Sequence, residues 1–91
     1  MAKTRFDNPR SNRTQNNLKN LLKGLIEAAE SKNESRVRQL NQSFDRLVSP
    51  NSSGYNEYDN LRQSCVMALT MPVLYHAFIM DARERFHRVY S

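Results

Sequence analysis

The side chains that could carry covalent, metal or acid–base chemistry in this 91-residue chain are Cys65, His76, His87 and a set of helical carboxylates. His76 and His87 are eleven residues apart on one helical pattern, about 16 Å at the usual rise, and cannot share an ion on an unbroken helix. His76 and Met80 are four apart, which supplies two ligands and no third. Cys65 lies on an apolar stripe with no base at helical spacing, so it reads as a buried structural thiol rather than a nucleophile. Gly24 and Gly54 stand alone, so there is no glycine loop to cradle a phosphate. Glu27, Glu30, Glu34, Asp81 and Glu84 all have basic helical neighbours and read as a paired, solvated surface. These residues therefore predict a protein that is not an enzyme, with no cofactor, no metal and no small-molecule substrate.

Cations are the more informative residues. The net charge is +5. Residues 1–24 alone carry +5, residues 25–62 carry −1 and residues 63–91 carry +1. Phosphate binding requires cations that are not already neutralised. Lys23 has Glu27 one turn away, Arg38 has Glu34, Arg85 has Asp81 and Arg88 has Glu84, so these four are set aside. Lys3, Arg5, Arg10, Arg13, Lys19, Arg36, Arg46 and Arg83 remain. Phe6 sits between Arg5 and Arg10, and a basic arm with one aromatic can track a phosphate backbone and stack on a base. Lys3, Arg5, Phe6, Arg10, Arg13 and Lys19 are thus the expected nucleic-acid contact. The alternatives are an apolar peg for a protein groove or a terminus with no partner. His76, Arg83 and His87 form one stripe with Met80 between them. It is either a secondary patch or a solvent-facing edge.

The elements that position these residues follow from periodicity. Apolar residues make up 38% of the chain, which predicts a thin core. Residues 1–11 read as a basic flexible arm, with Pro9 blocking an early helix, and residues 12–91 as a single helical domain. A first helix is expected to start near Ser11–Thr14. Leu18, Leu21, Leu22, Leu25, Ile26 and Ala29 form its stripe, with Gly24 on the opposite face. Ser31 and Glu34 have the spacing of a capping box that opens a second helix, ended by Ser49-Pro50. A third helix is expected from about Asn56. Pro72 then kinks one long helix or separates two; the second is favoured, with Thr70 as the cap. The predicted fold is all-α: a small bundle of three to four helices, made of an N-terminal αα-hairpin and a C-terminal helix kinked or broken at Pro72, with a basic N-terminal arm.

More apolar surface lies around Val66–Ile79 than such a hairpin can cover. Met67, Met71, Leu74, Tyr75, Phe78, Ile79 and Phe86 are accordingly expected to form an oligomer or partner interface, and the chain a homo-oligomer or a subunit of a larger assembly. The single Cys65 excludes an internal disulfide and points to a reducing compartment. No apolar run reaches the length of a membrane span. The expected location is cytoplasmic. The alternative is an organellar matrix, because residues 8–26 lack acids and pair basic residues with a leucine face.

The basic arm, Arg13, the Leu/Lys helix and the helical hairpin resemble protein twenty of the bacterial small ribosomal subunit, another short helical RNA binder. The resemblance covers about half the chain. The dense Lys/Ala helices of that family are missing, and residues 67–91 have no counterpart there. The leading expectation is a non-enzymatic structural protein that binds nucleic acid, RNA before DNA, or a small subunit of a ribonucleoprotein assembly. Asn16, Asn17 and Asn20 on the first helix keep DNA open, since polar base-reading side chains suit a groove. The alternative is a helical protein–protein interaction module, a homodimer or a small adaptor or modulator subunit of viral or plasmid type, docking through its apolar C-terminal helix.

Overall fold

The computed structural model describes residues 9–90 of the chain, with side chains described for residues 16–90. Lys3, Arg5 and Phe6 lie outside the described residues, and so do the side chains of Arg10 and Arg13. Four α-helices follow one another: α1 (Pro9–Glu30), α2 (Glu34–Leu47), α3 (Tyr55–Thr70) and α4 (Tyr75–Tyr90), with a 3-10 turn at Pro72–Leu74 before α4. There is no strand among the described residues, and the all-α bundle expected from periodicity is what forms.

The leucine stripe of α1 supplies the centre of the core. Leu22, Leu25 and Ala29 are fully buried, and Leu18 nearly so. Phe44 of α2, Leu61 and Cys65 of α3, and Ala82 of α4 close on them, each fully buried. Burying a side chain of the size of leucine contributes roughly 1.5–3 kcal/mol, so a few such residues decide whether this small chain folds. Gly24 does not lie on the opposite face. A Cβ built there would sit 3.3 Å from Leu40 Cδ1, so Gly24 is where α2 comes close to α1.

The helix ends depart from the expected caps in three places. Helix α1 begins at Pro9 rather than at Ser11–Thr14, because proline at a first helical position gives up only an N–H that has no intrahelical partner. Ser31 does not cap α2; its hydroxyl donates back to the Glu27 carbonyl at 2.8 Å. Asn33 is the cap, its Oδ1 accepting from the Arg36 N–H at 3.1 Å. Between them Lys32 takes a left-handed conformation, φ 58°. The Asn33 N–H donates to the Ala28 carbonyl and the Lys32 N–H to the Ala29 carbonyl, the Schellman arrangement that ends a helix. Thr70 is no cap either, since its hydroxyl donates back to the Val66 carbonyl at 3.0 Å. The chain does divide into two helices at Pro72, with Met71 as the residue between them, and it turns there by 119°.

Long-range polar contacts lock the layers together. The Arg62 guanidinium lies 4.9 Å from the Phe44 ring centroid, donates to Asn41 Oδ1 at 2.9 Å and pairs with Asp59. It thereby holds α3 on α2. The Tyr75 hydroxyl donates to the Glu30 carbonyl at 2.9 Å, and Arg83 pairs with Glu30. Lys19 Nζ lies 5.6 Å from the Tyr90 ring centroid. These contacts run α4 antiparallel to α1, its start beside the end of α1 and its end beside Lys19.

Candidate nucleic-acid interface

The cations sort by element. On α3 and α4, Arg62 pairs with Asp59, Arg83 with Glu30, Arg85 with Asp81 at 2.8 Å and Arg88 with Glu84 at 3.7 Å. Those are all the cations these two helices carry. The hairpin of α1 and α2 has, among its described side chains, Lys19, Lys23, Lys32, Arg36, Arg38 and Arg46, all exposed. Among the described residues none of these six forms an ion pair; the ion pairs are those just given and a longer Arg62–Asp45 contact at 4.0 Å. Two hairpin acids, Glu30 and Asp45, face cations of α4 and α3. Glu30 is thereby partly covered, while Glu27, Glu34 and Asp45 remain exposed on the hairpin.

Sequence spacing had set Lys23 and Arg38 aside as neutralised by Glu27 and Glu34. The structure brings neither pair together. Exposed pairs one turn apart are worth only about 0.3–0.5 kcal/mol, so spacing alone does not decide which of them form. Arg83 is corrected in the other direction. It has no acid one turn away on α4, yet it meets Glu30 across the α1–α4 interface, a partner that local spacing cannot reveal.

Other hairpin groups flank the cations. Asn16, Asn17 and Asn20 are exposed on the first turns of the described part of α1. Asn17 and Leu21 line a shallow groove with Ser43, Arg46 and Leu47 of α2. Arg36 donates to Gln39 Oε1 at 3.3 Å, an exposed and weak contact that leaves its charge available. Lys32 Nζ lies 4.7 Å from the Tyr75 ring centroid, and Lys19 rests on Tyr90. Both ammonium groups lie over the faces of aromatic rings, and both side chains are exposed. The cations are distributed around the hairpin: Lys19 and Lys32 beside α4, Arg38 in a groove with Glu34 and residues of α3, and Arg46 in the α1–α2 groove with Asn17.

His76, Arg83 and His87 are all exposed on α4. With Arg83 taken by Glu30, the stripe holds no unpaired arginine or lysine among the described residues. The expected apolar interface divides. Met71 and Leu74 are exposed, Met67 and Phe78 are half-buried, and Tyr75 and Phe86 pack partly against the core. Ile79 is inside the core at 6% exposure, a correction to its place in a docking face. Tyr75, Ile79, Ala82 and Phe86 of α4 pack against the core, whereas Ala77 and Met80 of α4 and Val73 of the preceding turn are exposed. The broad apolar pattern of this helix hid the division.

The remaining chemistry is structural. Burial, with a smaller contribution from the charge of Glu30, pushes the Cys65 thiol from its ordinary 9.0 up to about 12, so it stays protonated. Burial would also raise the Asp81 carboxyl. Hydrogen bonds from Ser64 and Arg85, together with the charges of Arg85 and Arg88, outweigh that and hold it below 3.8. No group of three metal-ligating side chains is assembled among the described residues. No single described helix is long and apolar enough to cross a membrane. Comparison with known proteins finds no matching family model, no matching curated protein and no matching solved structure.

Proposed function

We propose that this chain is a non-enzymatic structural protein that binds nucleic acid, RNA before DNA, through the surface of the α1–α2 hairpin. The observation that carries the reading is the partition of ion pairs: every cation of α3 and α4 is matched by a carboxylate, and no described cation of the hairpin is. Counterion release favours binding only through cations that are not already paired. The N-terminal bases Lys3, Arg5, Arg10 and Arg13 precede or begin α1 in sequence and add to the positive charge of this half of the chain. RNA is favoured because the cations spread over two packed helices. A single recognition helix with base-reading side chains would suit a DNA major groove better, whereas a broad basic surface suits phosphates and the shape of folded RNA.

A charge-matched exchange tests this. Arg36→Gln with Arg46→Gln removes two unpaired hairpin cations, and Arg85→Gln with Arg88→Gln removes two paired ones. Titrating a labelled structured RNA should show the first double variant weakened by on the order of tenfold at moderate salt and the second much less. Equal losses would mean diffuse attraction with no hairpin site, and no loss in either would remove the nucleic-acid reading.

A further inference from the structure

We infer that the outer face of α3, the Pro72 turn and α4 is a self-association surface, covered in solution by a second copy of this chain. All four exposed large apolar side chains among the described residues lie within ten positions here: Met71 at 40% exposure, Val73 at 95%, Leu74 at 43% and Met80 at 68%. Val73 of the 3-10 turn is followed four and seven residues later by Ala77 and Met80, both exposed on α4. The small Ala77 lies between the two larger residues, a ridge with a notch into which a facing helix can set its own ridge. Beside it, Met67, Ala77 and Phe78 line the apolar part of an open groove between α3 and α4, with Asn60 and Gln63 at its polar edge.

Charge identifies the occupant. Residues 55–90 carry Arg62, Arg83, Arg85 and Arg88 against Glu57, Asp59, Asp81 and Glu84, so this half of the molecule has no formal net charge. This half is neutral in sum, although Glu57 forms no ion pair among the described residues and Arg83 pairs with Glu30 of α1, so it offers little net field to select an acidic peptide, a basic helix or an anionic bilayer. It is also the one face through which two chains of net charge +5 can meet without opposing their cationic hairpins. A two-fold pairing here turns both hairpins outward and makes each apolar ridge its own complement. The inference stands independently of the nucleic-acid reading.

The test is the mass of the intact chain in solution by sedimentation equilibrium, beside a variant with Val73→Asp and Met80→Glu. Both side chains are mostly exposed, so the variant should keep its helical circular dichroism. The wild type should approach twice the 10.7 kDa chain mass as concentration rises and hold it in high salt, and the variant should remain at the single-chain mass. A wild type that stays monomeric over the whole range overturns the proposal. So does a dimer that survives both substitutions, because its interface must then lie elsewhere. RNA titration of the same variant is read separately, so a failed dimer and a failed nucleic-acid site remain distinguishable.

Discussion

Lys32 and Cys65 show what single residues contribute to this fold. Lys32 holds a left-handed φ of 58° at the end of α1, where a Cβ costs about 1–2 kcal/mol and glycine would be the ordinary choice. Its ammonium lies over Tyr75, which accounts for a long cation at a glycine position. Lys32→Ala and Lys32→Gly both remove that contact and differ only in the Cβ. The glycine variant should therefore be the more stable of the two by about 1 kcal/mol in urea denaturation, the reverse of the usual helix order. Cys65 gives a prediction in pH. Its folded thiol is held near 12, against 9.0 for the free group. Above pH 9 the unfolded chain loses this proton while the folded chain keeps it, so the term removes stability as pH rises from 9 towards 12. Tyr90, raised by burial from 10.0 to about 12, acts in the same direction. A thiol reagent should leave Cys65 unmodified in the native protein at mildly alkaline pH and react once denaturant is added. Prompt native-state reaction would contradict the burial.

At the scale of elements, the turn between α1 and α2 separates what spacing reveals from what it hides. Ser31 and Glu34 have the spacing of a capping box, and a helix does begin at Glu34. The cap is Asn33, because the Schellman closure of α1 uses residues 31–33 first and leaves Asn33 at the boundary. Asn33→Ala should cost about 1 kcal/mol in thermal or urea unfolding, and Ser31→Ala distinctly less. Equal costs would return the cap to Ser31. The leucine stripe of α1 and the break at Pro72 were legible because apolar period and proline geometry are local properties. The division of α4 was not, because its apolar residues surround much of the helix. Which of them face inward depends on where α1 and α3 lie, and Ile79, expected in the docking face, is buried in the core on that basis.

The whole molecule is divided electrically: a cationic hairpin packs against a neutral pair of helices. The net positive charge was legible in the sequence, and so was its concentration before residue 25. Its sharpening by tertiary contacts was not. Glu30 and Asp45 count as hairpin acids in sequence, yet they serve Arg83 and Arg62, and only the packed structure shows it. The most direct measurement of the central claim is the affinity of the intact chain for a structured RNA over a range of salt. If the six unpaired hairpin cations each meet a phosphate, log affinity should fall against log salt with a slope of roughly −4, steeper if the N-terminal bases also engage. Replacing Lys23, Arg36, Arg38 and Arg46 with Gln should flatten that slope by roughly 3. A wild-type affinity that hardly changes with salt, or a slope that survives all four replacements, would contradict a nucleic-acid surface on the hairpin.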